Sequence, residues 1–303
     1  MSRKWKRWRF PAFRYTALIA WALIASFPIF WIFSTSFKPD YEWHAWPPIY
    51  WSDNATLENY NLVWGFTSTG KALAQKYDEK AGQARYETLP MNKSWVALGN
   101  SLLTSMIATF FSVLFGTLLA YGVSRYRILS DIRMFQLLVL RMIPPIVIAA
   151  PITLYYSWIH LMDTVTGLVI VYFITTLPYA VWMTKSFIDE VPLEMEHAAE
   201  ILGASRWQTI WEVILPLVRS GIVATFLFIL ILTWSEYLLS FLLSKVDVVT
   251  LPVQLSKYEG STEGRVYGHQ AALAVGITLP LMIVGIFIRK HLVRGFSFGM
   301  VKR

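Results

Sequence analysis

At 303 residues the chain is long enough for two soluble domains, but 55% of it is hydrophobic and only 15% charged, against about 25% charged in ordinary soluble domains. Its apolar residues gather in runs of about 20, the length that crosses a bilayer, so the expected class is an all-α polytopic membrane protein. The absence of cysteine excludes disulfide frameworks, thiolate metal sites and Cys nucleophiles, and the formal charge of +8 sits at the ends of apolar runs rather than in a nucleic-acid patch.

Residues 1–14 form a basic, cytoplasmic N-terminus in which Trp5 and Trp8 interleave with Lys and Arg and no acid occurs. Such a flank suits anionic headgroups. Residues 15–37 make the first transmembrane helix, an apolar run too long for a signal-peptide core of roughly 7–15 residues. Residues 38–97 form an extracytoplasmic loop with the aromatic cluster Trp43, Trp46, Tyr50 and Trp51. Within it, Gly65 to Ala72 nearly spells a phosphate-binding loop. Ala72 stands where a hydroxyl would have to hold magnesium, so the chain binds no nucleotide itself.

Residues 98–290 form the core transmembrane domain. The second span, about 98–122, carries Gly116, Ala120 and Gly122 for close helix packing. The third, about 134–158, is kinked or interrupted by Pro144, Pro145 and Pro151. The fourth covers about 165–185, the fifth 217–243 and the sixth 269–288. Residues 291–303 are a cytoplasmic tail. Lys and Arg favour the inner segments by roughly two to one, which makes six spans with both termini cytoplasmic self-consistent.

The inner segment 186–216 is the most informative. Pro192 suits the first helical position, and Gly203 suits the left-handed residue just past a helix end. Ser205 with Gln208 forms a capping-box pattern that opens a second helix, and Pro216 restarts the chain. Ala198 and Ala199 are small enough to let another surface come close. A helix–Gly–helix hairpin on the cytoplasmic side has the form of a docking device.

This segment resembles the cytoplasmic EAA loop of the permease subunits of bacterial ABC importers: Glu-Ala-Ala, three residues, Gly, nine residues, Ile, one residue, Leu-Pro. Ala198, Ala199, Gly203, Leu215 and Pro216 match; Val213 replaces the Ile. His197 stands at the Glu position, with Glu196 directly before it. Arg141-Met-Ile-Pro144, Trp234-Ser-Glu236-Tyr237, Thr250-Leu-Pro252 and the ending Val293 to Lys302 are similar to the maltose-permease branch, where Asn is commoner than Ser235. The resemblance covers spans two to six and the tail; residues about 66–94 read as an insertion in the outer loop.

The resemblance implies a type I ABC importer permease fold in the bacterial inner membrane, a non-catalytic subunit with no cofactor of its own. It implies a homologous second permease as heterodimer partner and two ATPase subunits that use ATP and Mg. It also implies an extracytoplasmic substrate-binding protein, and a sugar or related polyol or sugar derivative as substrate. Residues 193–203 become the coupling helix. Glu196, His197, Ala198, Ala199, Gly203, Ala204 and Pro216 are its ATPase-coupling positions, with Glu194, Glu196 and Glu200 free to meet basic residues of the partner. Gly295, Gly299 and Lys302 become tail contacts with the ATPase.

For a substrate path, Arg141 is a cation in an apolar run, costly and usually functional, although it lies close enough to the inner interface to snorkel. Glu236 is an acid at the far end of span five. Sugars pack on aromatic faces and need hydrogen-bonding partners, which Tyr156, Tyr179, Trp234 and Tyr237 supply, while aromatics at span ends also form interfacial belts. The histidines are isolated, so no metal site is expected. The alternative is an ion-coupled secondary transporter of a small polar solute. It calls for buried acids in several spans and two similar halves; only Glu236 qualifies, and no half-repeat is visible.

Overall fold

The computed structural model describes residues 3–65, 94–139, 142, 144–258 and 267–298, and all described regular structure is helical. The helices are α1 (Arg3–Thr35), α2 (Glu58–Trp64), α3 (Ser94–Tyr126), α4 (Asp131–Val139), α5 (Ala149–Trp158), α6 (Val165–Asp189), α7 (Leu193–Ile201), α8 (Arg206–Gln208), α9 (Leu215–Trp234), α10 (Leu238–Leu243), α11 (Leu251–Ser256) and α12 (Tyr267–Phe298). Among the described residues, five stretches are long and apolar enough to cross a membrane: Phe13–Thr35, Ser94–Tyr126, Val165–Asp189, Arg206–Trp234 and Tyr267–Ile286. The chain divides into two compact units, Met1–Ser94 with Leu255–Thr278, and Trp95–Gln254 with Leu279–Arg303.

The third expected span is not one helix. α4 ends at Val139, Pro144 is extended (φ −57°, ψ 128°), and a 3-10 turn over Pro145–Ile148 leads into α5. A residue before proline is driven out of the helical region, and two consecutive prolines make that break complete. The fifth span also differs from 217–243. It runs without a break from Arg206 to Trp234, and Trp234–Tyr237 is the turn that separates α9 from α10. Pro216 does not restart the chain. It lies in the first turn of α9, directly after a π-helical turn, Thr209–Ile214. In plain α-helical register its ring would clash with the preceding turn and remove one hydrogen bond; the wider π turn absorbs the mismatch.

In the second unit, α6 packs along α3 and α9. A Cβ placed on Gly116 of α3 would sit 2.4 Å from the Ala180 Cβ of α6, and one on Gly221 of α9 would sit 2.2 Å from the Phe187 ring. Ala120, also expected at a close approach, is fully buried. Hydroxyls pair between these helices, Ser112 with Thr176 at 2.8 Å and Thr109 with Thr233 at 3.1 Å. Both satisfy polar atoms where lipid could not. At the other end of α6, Thr164 caps the helix by accepting from the Gly167 N–H. Beside it, the Asp163 carboxylate accepts from the backbone N–H groups of Lys245, Val246, Asp247 and Val248, at 2.9–3.1 Å.

In the first unit, the chain turns sharply after α1. Asn59 Nδ2 donates to the Ser36 and Lys38 carbonyls, and the Tyr60 hydroxyl meets Ser36 Oγ at 2.9 Å. Trp64 packs where Gly276 of α12 leaves room, and its Nε1 donates to the Ala272 carbonyl at 3.3 Å. The phosphate-loop-like run beyond Gly65, nearly all of the insertion, Arg141, Gly299 and Lys302 lie outside the described residues.

Candidate coupling site

The hairpin closes as its local chemistry requires. α7 starts at Leu193 with Pro192, the expected first helical residue, as its N-cap, so the helix begins one residue later than expected. Glu194 and Glu196 fall in its first turn, favourable for the helix dipole. At its end the Ala204 N–H donates to the Ala199 carbonyl at 3.0 Å and the Gly203 N–H to the Glu200 carbonyl at 2.9 Å, with Gly203 at φ +87°. That is a Schellman closure, which needs a left-handed residue at Gly203. Ser205 and Gln208 then exchange both capping-box hydrogen bonds, at 2.8 and 3.3 Å.

The two faces of α7 differ in kind. On the inner face Glu196 is only 3% exposed and forms an ion pair with Arg125 of α3 at 2.5 Å. The Tyr121 hydroxyl donates to the second oxygen of Glu196 at 2.8 Å. Arg125 also donates to the Ile188 and Val191 carbonyls at 3.1 and 2.9 Å. One guanidinium thus ties the end of α6, the linker to the hairpin and α7 to a single membrane helix. Asp189 adds a second tie to α3, accepting from Ser124 and pairing with Lys185. Ala199 is buried on this same face.

On the outer face, Glu194, His197 and Ala198 are exposed. Ile201 and Leu202 are each 87% exposed, and Leu193, Met195, Trp207 and Trp211 are exposed beside them. The Trp207 and Trp211 rings meet edge to face at 5.6 Å. Glu200 pairs with Arg206, whose guanidinium lies 6.0 Å from the Tyr126 ring, so the two arms of the hairpin are locked to each other and to α3. Of the three acids expected to meet a partner, only Glu194 faces outward unpaired among the described contacts. The geometric reason is that Glu196 lies two positions from Glu194, on the opposite side of a 3.6-residue helix.

The residues expected along a substrate path do not gather at one place. Glu236 lines a cavity of about 50 Å³ with Tyr172, Thr175, Thr176, Leu232 and Thr233, and also caps α10 by accepting from the Leu239 N–H at 3.0 Å. Tyr156 is buried and donates to the Gly167 carbonyl, and Tyr179 packs its ring against Phe228. Trp234 is buried, whereas Tyr237 is exposed and stacks on Phe241. Gly295 lies on α12. Among the described residues no group of His, Asp and Glu could hold a metal ion.

In the sequence Arg125 stands out only as one of the Lys and Arg residues that make an inner segment basic. Tyr121 and Arg125 are four residues apart on one helix face, a pattern that marks a shared polar partner without saying which. Nothing local points to the exposed Ile201-Leu202 pair except its place beside Gly203.

The described chain is thus a multi-pass helical membrane protein with an apolar-faced hairpin held to α3 by buried charged side chains. Residues 112–298 match the family described as "Binding-protein-dependent transport system inner membrane component", and the chain belongs to that family. It is an inner-membrane component of binding-protein-dependent transport, which displaces the ion-coupled alternative. It is 28% identical over 290 residues, 95% of each chain, to the trehalose transport system permease protein SugB of Mycobacterium tuberculosis. It is 26% identical over 286 residues, 94% of each, to the trehalose/maltose transport system permease protein MalG of Thermococcus litoralis. In fold it is similar to a chain of a bacterial ABC transporter that imports the acidic polysaccharide alginate, with a TM-score of 0.69 over 96% of this chain and 98% of that one at 19% identity.

Proposed function

We propose that this chain is the permease subunit of an ATP-driven importer that moves a sugar, polyol or sugar derivative inward. A partner ATPase docks on the outer face of the hairpin at residues 193–203. The observation that carries this reading is the asymmetry of α7: Glu196 is buried against α3 and Ala199 is buried beside it, while Ala198, Ile201 and Leu202 are bare. A contiguous apolar surface beside buried charge is suited to a partner. ATPase closure would move α7 as a rigid knob, and the Arg125–Glu196 pair would carry that displacement into α3 and α6. His197 stands on the docking face where the family pattern has a carboxylate.

The substrate class rests on the sugar transport named in the relatives. A homologous second permease, two ATPase subunits and an extracytoplasmic binding protein complete the assembly, with Gly299 and Lys302 of the tail as further ATPase contacts. Glu236 and the threonines around it are the substrate-path positions that share a cavity in this subunit. The test is ATP hydrolysis by the purified complex, with and without binding protein loaded from a sugar and polyol panel. Stimulation by one loaded form is the expected result; hydrolysis indifferent to this chain, or uptake without ATP, contradicts the proposal.

A further inference from the structure

The first unit contains a cavity of about 490 Å³ that takes no part in the coupling hairpin. Its size falls within the roughly 300–1,000 Å³ usual for small-molecule sites. Trp31, Ile32 and Thr35 at the end of α1 form one wall, and Tyr267, Ala271 and Ala274 of α12 form another. The cavity therefore sits where one span ends and another begins, at the depth of headgroups and interfacial aromatic rings.

Two opposite charges line it. Lys38 is 2% exposed and holds its ammonium 4.0 Å from the centre of the Trp31 ring. Burial pulls the Lys38 pKa down, and the negative charge of Glu42 opposes that shift. Glu42 is 8% exposed, and its Oε2 has no hydrogen-bond partner among the described residues; the Thr35 hydroxyl, equally buried, has none either. Buried polar atoms left unpaired are destabilising by about 1–3 kcal/mol each, more for a charged group. Folding alone gives no reason to keep these two unpaired groups beside a buried ammonium around one space.

The walls are fixed before anything binds. Trp43 Nε1 donates to the Lys38 carbonyl at 3.0 Å, and the Trp43 ring meets His269 edge-on at 5.4 Å. His44 meets Tyr267 in the same way at 5.2 Å. Such preorganisation lowers the entropy lost on binding. Below the cavity, Ile32 heads a stripe of Pro28, Ala25 and Trp21 at helical spacing, all exposed. A ligand for this place carries an anion, a cation and an apolar tail. A neutral sugar would bring no charge to the unpaired Glu42 Oε2 or to the buried Lys38 ammonium and would leave the stripe uncovered.

We propose that this cavity binds the ethanolamine phosphodiester headgroup of a phospholipid, its phosphate against Lys38 and its ammonium donating to Glu42 beside the aromatic walls. The acyl chains run along the Trp21–Ile32 stripe of α1. Free glycerophosphoethanolamine shares the headgroup chemistry but not the chains.

The test uses the complete transporter, exposed to vesicles of phosphatidylethanolamine, phosphatidylcholine or phosphatidylglycerol, with retained lipids counted by native mass spectrometry. The expected result is retention of phosphatidylethanolamine about tenfold above the other two, the range of one or two charge-assisted hydrogen bonds. Lys38→Met and Glu42→Gln bring that ratio to near parity. Ala274→Leu, which fills the cavity and leaves both charges, does the same and serves if either charge variant fails to assemble. Failure of excess glycerophosphoethanolamine to displace the lipid identifies the membrane as the source; tighter binding of the soluble compound overturns the lipid assignment. Equal retention of all three lipids, or unchanged retention in all three variants, overturns the site.

Discussion

Glu196 on the hairpin and Asp163 in the turn before α6 each fasten a connecting segment to the helices of the second unit. Glu196 does so through side chains, with Arg125 and Tyr121 of α3 as partners. Asp163 does so through backbone alone, four N–H groups of residues 245–248 converging on its two oxygens. A backbone cradle depends on one acidic residue and on the path of the facing loop, so the loop side chains remain free to vary. A side-chain pair depends on two residues far apart in sequence and can carry displacement from one helix to another. The hairpin uses the second kind of fastening.

The largest expected effect comes from breaking the side-chain tie. Arg125→Met leaves a buried carboxylate without its cation, and losing one partner of such a pair destabilises by about 3–5 kcal/mol. Thermal unfolding of the assembled complex reads this loss directly. Adding Glu196→Leu to the same chain removes the stranded charge and recovers most of the stability, because an apolar pair of similar volume is often neutral. Coupling in the double variant, read as substrate moved per ATP, stays impaired; wild-type coupling there would show that packing alone carries the motion.

The backbone tie should be the weaker one and the one that responds to acid. Asp163→Asn removes charge-assisted acceptance from a partly solvated site, with an expected loss of about 1–2 kcal/mol. Burial raises the Asp163 pKa, but the four N–H donors outweigh it and hold the carboxyl below its ordinary value. The sign follows from that depression: the stabilisation is complete above the ordinary aspartate pKa of about 4 and is lost as pH falls through the lower folded value. Hydrogen exchange at residues 245–248, corrected for the intrinsic pH dependence of exchange, should stay protected above that pH and open below it. Protection that Asp163→Asn leaves unchanged would remove the carboxylate from the account.

The two alanines of the hairpin sharpen the contrast between its faces at a smaller scale. Ala199→Trp forces a large ring into the buried side and should destabilise by about 1–3 kcal/mol, as overpacking does. Ala198→Trp points outward and should stay within about 0.5 kcal/mol of wild type, yet abolish stimulated ATP hydrolysis. Equal effects of the two on stability would mean that the faces are not distinct. His197→Glu, which restores the family acid on an exposed position, should be the mildest change, neutral for stability and visible only in the affinity of the complex for its ATPase.

What was legible in the sequence was short in range. Gly203, Ser205 and Gln208 act within one turn of themselves, so their pattern named the hairpin closure correctly. The repeated prolines after Arg141 foretold an interrupted third span for the same reason. The Arg125–Glu196 pair joins residues 71 positions apart, and no local rule ranks Arg125 above Arg127 and Arg133, the neighbouring basic residues of the same inner segment. The end of the fifth span was misplaced because the apolar run resumes at Leu238–Leu243 after a break of only a few residues. The turn there is set by Ser235 and Glu236 bonding to nearby backbone. Pro216 was misread because a π turn has no sequence signature, only a consequence.

The central claim is that the outer face of the hairpin meets the ATPase while the inner face does not. The absence of native cysteine makes one introduced thiol unique in this chain. Ala198→Cys and Ala199→Cys, each treated with a short bifunctional cross-linker in the assembled complex, test the claim directly. Ala198→Cys should join this chain to the ATPase and stop turnover, and Ala199→Cys should stay unmodified. Cross-linking from Ala199→Cys with none from Ala198→Cys would contradict the account.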